Sequence, residues 1–415
     1  MIHEVRLPRR TKIYLWQITR LQMDVLACAT TLQPGFTEQD LQLALAGKMR
    51  QRAERVAEWI WEHKDTREGL RAFVTGSPQE RQSLVESMRR DVSRLVWARR
   101  DETLECRFAD DRQLPDYKKG AKQFLLAFYE QLSSGISVDT LRFNPANYPK
   151  YGREQYFKDY ESENHHQSVC AICDEHRPIT IIHGDTYSDI EHYFPKSIYP
   201  HLACHPYNLI PICKACNSAH LDKDPLNGQN DARRTLGEVF LPYRSESVRL
   251  HGAVKFDWTQ PVSPALSIVK RENDANNLFQ ARLMAFSEIY DIPGRWQGRI
   301  HQIGEQLWRQ MSYFVRAEIE KNEELDVFKV KTALERLLNY FIEDLGATPW
   351  DYVLVWYLSH LLVTEIESAI LNHQHPKDVA LIQSLDDIVK ESLLRVCPVL
   401  RGDEVLETSR SLYQT

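Results

Sequence analysis

Long apolar runs are missing from this chain of 415 residues. Its most apolar stretch, residues 353 to 366, follows Asp351 and is broken by His360 and Glu365, short of the ~20 apolar residues that cross a bilayer. It reads as a buried helix, and no membrane association is expected. The opening Met1-Ile-His-Glu-Val-Arg has no apolar core of a secretory signal. Of the eight cysteines, Cys28, Cys106, Cys204 and Cys397 stand singly. Both features suit a reducing cytoplasm, which is the expected location. A glycine-rich phosphate cradle of the P-loop type is also missing, so the chain is not expected to hydrolyse ATP, and a nucleotide-sensing effector would need a ligand-binding domain. Neither an internal repeat nor a low-complexity tract is present, which removes solenoids and disordered tethers.

An overall excess of positive charge is absent too. The formal net charge of −6 excludes a uniformly basic coat for nucleic acid. The charge is uneven, however: residues 1 to 150 carry 25 Lys+Arg against 20 Asp+Glu, and the remainder carries 27 against 38. Electrostatic capture of a phosphate backbone is therefore expected from the amino-terminal part, where Arg6, Arg9, Arg10 and Lys12 cluster.

A hydrophobic content of 43% at this length is enough to bury large cores and predicts two or three domains. From Thr37 the apolar residues Leu41, Leu45, Met49, Val56 and Ile60 recur at steps of four and seven, the stripe of one long helix. Ser77-Pro78-Gln-Glu80 combines an N-cap, a proline at the first helical position and a capping-box glutamate, with Leu84, Met88, Val92 and Leu95 following. Asn144-Pro145-Ala-Asn-Tyr-Pro149 is turn-rich and reads as a linker. Further on, Ile300, Ile303, Leu307, Met311 and Phe314 repeat at helical spacing, and Thr348-Pro349-Trp-Asp351 reads as another helix start. The fold class expected is mostly α with a small α+β module. Its three parts are a helical region over 1–150, a central module over 151–245 and a second helical region over 246–415. Trp59, Trp61, Trp296, Trp308, Trp350 and Trp356 lie on helical stretches, where core packing is the default over base stacking.

The chemistry is concentrated in the centre. Cys170-Ala-Ile-Cys173 and Cys213-Lys-Ala-Cys216 are two Cys-x-x-Cys pairs about 40 residues apart, the spacing that closes a tetrahedral four-thiolate shell around a structural Zn²⁺ and leaves no open position for catalysis. Any reaction must then come from residues between and after the pairs. Glu191-His192-Tyr-Phe-Pro195-Lys196 is followed by Asn208-Leu-Ile-Pro-Ile, and Asn217 follows the last cysteine directly.

This order resembles the HNH endonuclease family in its tetra-cysteine form, over about residues 165 to 245. The resemblance implies a ββα-metal fold, with residues 189–194 as first strand, 208–212 as second strand and Asn217 opening a short helix. It further implies His192 as general base, and Glu191 and Asn217 as ligands of a catalytic Mg²⁺ or Mn²⁺. Asn208 would fix the histidine and its loop. The family often has aspartate where this chain has Glu191. Lys196, His220 and Lys223 are candidates for phosphate contact, and His205 is set apart by its place three residues before Asn208. Cys204 reads as a buried hydrophobe. Adjacent strand residues point to opposite faces, so Glu191 and His192 can share a site only at the strand's end. The expected substrate is nucleic acid, DNA before RNA. The resemblance also points to a bacterial anti-phage defence setting with a partner ATPase or other regulatory protein, as in Septu-type systems. A non-catalytic zinc module in a nucleic-acid-binding or assembly protein is the alternative.

Overall fold

A computed structural model of the chain describes residues 3–97, 100–108, 112–137, 150–175, 181–182, 185–186, 189–221, 223–228, 232–244, 254–257, 265–268, 278–297 and 327–343, with single positions at 310, 313, 317, 354 and 358. The proposed linker at 144–149 lies outside these residues. So do the helix start at 348–351 and most of the stripes at 300–314 and 353–366.

The amino-terminal part is helical: α1 (Arg9–Ala29), α2 (Glu38–Met49), α3 (Ala53–Glu62), α4 (Lys64–Phe73), α5 (Pro78–Trp97) and α6 (Asp116–Gln131). The apolar stripe that begins at Leu41 is buried throughout, yet the helix is not continuous. Arg50 takes a left-handed φ of 45° and the chain passes through a tight 3-10 turn at Arg50–Arg52, so the stripe is shared between α2 and α3. Spacing alone does not register such a break, because a turn of nearly helical pitch preserves the register of the stripe. Helix α5 starts as its sequence predicts, with Ser77 and Glu80 bonded reciprocally at its first turn.

After α6 come a two-residue pairing of β1 (Ile136–Ser137) with β2 (Lys150–Tyr151), helix α7 (Arg153–Glu163), and β3 (Ile181–Ile182) paired with β4 (Asp185–Thr186). The central hairpin joins β5 (Asp189–His192) to β6 (Leu209–Ile212), antiparallel, with Glu191 opposite Ile210 and His192 opposite Leu209. It runs into α8 (Lys214–His220). Beyond lie a second antiparallel pair, β7 (Val254–Asp257) with β8 (Ala265–Ile268), and helices α9 (Leu278–Tyr290), α10 (Ile292–Gln297) and α11 (Val327–Glu343). The described part is therefore mostly α with small two-stranded sheets.

One apolar cluster runs from Val5 through α1 to α7, takes in the four paired cysteines and Leu209, Ile210 and Ile212 of β6, and continues to Trp296 and Leu337. A second gathers Tyr193, Phe194, Tyr199 and Leu202 of the hairpin loop against Val92, Leu95 and Ala285. The hairpin is thus packed on both sides by helices from the two flanks. Among the described residues, no helix is long and apolar enough to cross a membrane.

Candidate functional site

The cysteine pairs meet. Cys170 and Cys216 sulfurs are 4.0 Å apart, those of Cys173 and Cys213 are 3.7 Å apart, and all four lie within 4.8 Å of one another. A disulfide would need about 2.05 Å, whereas ligands about 2.3 Å from one ion sit about 3.8 Å apart at tetrahedral corners. All four are buried and free of disulfides, so they can hold a metal ion such as zinc. Burial pushes the Cys170 thiol well above its usual value, and a cation is what would retain thiolates in such surroundings.

The surroundings of this cluster come from distant parts of the chain. His3 donates its backbone N–H to Ala171 O (3.1 Å), and its Nε2 lies 2.5 Å from Oδ1 of buried Asp174. From α10, Arg295 donates to the Cys216 sulfur (3.2 Å) and pairs with Glu175 (3.0 Å), while Trp296 Nε1 donates to Cys173 O (3.0 Å).

Asn217 does not open the helix after the second pair. Helix α8 begins at Lys214, capped by Cys213, whose carbonyl accepts from Asn217 N at 3.0 Å. The Cys-x-x-Cys turn is itself the first helical turn, since that is what brings both sulfurs to one side. Asn217 consequently sits within α8, one turn before His220.

Strand β5 ends at His192, short of Phe194. There Glu191 and His192 line one cleft of about 410 Å³ despite being neighbours in sequence. Asn217 and Leu221 line it from α8 and its end, Pro195, Lys196 and Ser197 from the hairpin loop, Lys122, Leu126 and Tyr129 from α6, and Arg153 from α7. Both Glu191 and His192 are recessed, at 9% and 6% exposure.

His192 donates from Nε2 to the Ala203 carbonyl (3.2 Å), since that oxygen can only accept. In the neutral ring the other nitrogen, Nδ1, then carries a lone pair. Burial, reinforced by Lys196, brings the His192 pKa down to about 3, so the ring is neutral at pH 7. Tyr129 packs its ring edge-on against the imidazole, 4.3 Å between centroids. Asn208 is fully buried and makes all its bonds to backbone: Oδ1 accepts from Phe194 N (2.7 Å), and Nδ2 donates to Phe194 O (3.1 Å) and Leu202 O (3.0 Å). It ties the two ends of the loop that carries the Ala203 acceptor.

His220 belongs to the same group. Its Nε2 donates to Tyr193 O (3.1 Å), while its Nδ1 faces Glu191 Oε1 at 2.7 Å without a hydrogen bond satisfying that buried nitrogen. A lone pair and a carboxylate this close are stable only with a proton or a cation between them. Glu191 and His220 thus share either a proton or a cation at this point. Asn217 and His220 stand three residues apart on α8, a spacing that brings both to one face of the helix.

Other candidates are occupied elsewhere. Lys223 donates to Ile289 O (2.8 Å) and Glu288 O (3.4 Å) at the carboxy end of α9, where a cation complements the helix dipole. His205 is buried against Trp16 and accepts from Tyr207 N (3.3 Å). Cys204 is buried, and its thiol is pushed up by that burial. Arg10 pairs with Asp159 (3.5 Å) and Lys12 lies over the Tyr207 ring, and neither lines the cleft. The residues missed from sequence are Lys122, Tyr129 and Arg153, which reach the cleft only through tertiary packing. Comparison of the chain with protein-family models, with curated proteins and with solved structures found no match in any of the three.

Proposed function

We propose that the chain is a metal-dependent HNH-type endonuclease that hydrolyses phosphodiester bonds in nucleic acid, DNA first among them. The observation that carries this reading is His192: a neutral imidazole with its tautomer set by the Ala203 carbonyl, in a cleft that it shares with Glu191 and Asn217. Neutral His192 accepts a proton from the attacking water. A scissile phosphate brought beside it raises the basicity of the ring, because a nearby negative charge favours the imidazolium. Asn208 keeps the hairpin loop, and with it the imidazole, in place. Glu191, Asn217 and His220 would hold a Mg²⁺- or Mn²⁺-like ion, which supplies charge neutralisation at the phosphate and at the departing 3′ oxygen. The four cysteines, loaded with zinc, would clamp the hairpin to α8 without taking part in chemistry.

The test is direct. Purified protein is incubated with plasmid, linear and single-stranded DNA and with RNA, with Mg²⁺ or Mn²⁺, beside a His192→Ala variant. Cleavage is expected in the parent and a loss of about 10²–10⁴ in the variant, the cost of removing a general base, with zinc content unchanged. Equal cleavage by His192→Ala with every metal would overturn the assignment.

A further inference from the structure

The cleft is lined by two unlike kinds of side chain. Lys122 of α6, Arg153 of α7 and Lys196 of the hairpin loop give it three cations against the single carboxylate of Glu191, in a molecule of net charge −6. Besides the polar His192, Ser197 and Asn217, the rest of its lining is apolar: Leu126, Tyr129, Ile190, Pro195 and Leu221, the last 71% exposed. Lys196 is held over the Tyr129 ring at 4.6 Å and reaches Glu130 at 3.2 Å, so its ammonium is positioned by α6.

A ligand suited to such a lining carries both negative charge and flat apolar surface. A polynucleotide strand has that character, phosphates along its backbone and bases beside them. In a duplex the base faces are stacked away and cannot meet Leu126, Tyr129 or Leu221. At about 410 Å³ the recess is of the size that takes one small-molecule-sized group. His192 and Glu191 are recessed in a cleft lined by α6 and the hairpin loop, so a phosphate must enter that cleft to reach them.

We propose that α6 and α7 form the substrate wall of the site, with Lys122 and Arg153 as phosphate contacts and Tyr129, Leu126 and Leu221 as the base-facing surface, and that the cleft selects single-stranded over duplex nucleic acid. This rests on the nuclease reading for its purpose but not for its measurement, which is binding.

The experiment uses the full chain carrying His192→Ala, so that the probe survives. Fluorescence anisotropy follows a labelled single-stranded DNA of about 12 nucleotides, within the range one such groove covers, and the blunt duplex of the same sequence. The single strand is expected to bind at least about tenfold tighter. Adding Lys122→Ala and Arg153→Ala is expected to weaken it at least about tenfold and to reduce the salt dependence by about 1.4, two contacts at about 0.7 each. Lys122→Arg with Arg153→Lys should restore most of the affinity, and zinc content and thermal melting should match the parent throughout. An RNA strand binding with the same dependence also supports the wall and identifies the polymer.

Equal or tighter binding of the duplex overturns the proposal, as does unchanged single-strand affinity in the double alanine variant. Either result alongside His192-dependent plasmid cleavage removes the wall and leaves the nuclease. The expected binding without cleavage by the His192 parent under any metal does the reverse.

Discussion

At the scale of residues, the groups that the motif brought together in sequence are also close in space, but their surroundings decide what each can do. Asn208 shows this best. Its place before a short apolar strand was legible, whereas the three backbone bonds that span from Phe194 to Leu202 were not. Asn208→Ala leaves those buried groups unsatisfied, and each such loss costs about 1–3 kcal/mol. We expect a lower urea midpoint by an amount worth at least about 2 kcal/mol, together with lost cleavage. Asn208→Asp should recover part of the stability only, since it keeps the acceptor for Phe194 N and loses both donors.

His205 supplies a test by pH. Burial, with His201 and Arg244 nearby, brings its pKa down to about 3, below the unperturbed value near 6.5. The unfolded chain therefore takes a proton that the folded chain refuses between those limits, and stability falls as pH drops below about 6.5. The slope from this one group is about 1.4 kcal/mol per pH unit. Urea unfolding from pH 7 to 5 should be flatter by that amount in His205→Phe, and an unchanged slope would remove His205 from the account.

At the scale of elements, the hairpin and the short helix were legible only through the order of motifs that resembles the HNH family, since that order is local in sequence. The wall opposite them was not, since α6 meets the site through its packing on α4. Here two glycines let the helices approach backbone to backbone. A Cβ on Gly69 would stand 2.6 Å from Phe124 N, and one on Gly120 only 2.3 Å from Phe73 N. Single glycines in amphipathic helices do not announce a crossing point. Gly120→Ala must push α6 away from α4, at a cost of about 1–3 kcal/mol for overpacking, and it should move Lys122, Leu126 and Tyr129 with the helix. The expected result is a lower melting temperature and weaker single-strand binding at normal zinc content. The clamp itself is tested by Cys173→Ser, which should lose zinc and with it the hairpin's docking on α8.

At the scale of the whole molecule, sequence reading divides the chain into two helical flanks and a central module, yet the apolar core passes through all three. Long-range contacts of this kind leave no periodic trace. They converge on the four-cysteine cluster, where His3 and Asp174 pair on one side and Arg295 and Trp296 bond on the other. Four thiolates around one divalent ion carry a net charge of about −2, and the guanidinium of Arg295, 3.2 Å from the Cys216 sulfur, offsets part of it inside a buried site. Partners of metal ligands at this remove typically govern affinity by about 10–100-fold. Arg295→Ala should therefore release zinc to a colorimetric chelator at least about tenfold more readily. Arg295→Lys, which keeps a charge but not the forked geometry reaching both Cys216 and Glu175, should fall between the two. Limited proteolysis during chelation should then expose α10 before α1, because α10 bonds the cluster directly through Cys216 and Cys173. Zinc release from Arg295→Ala at the parent's rate would show that the carboxy-terminal flank rests on the cluster without stabilising it.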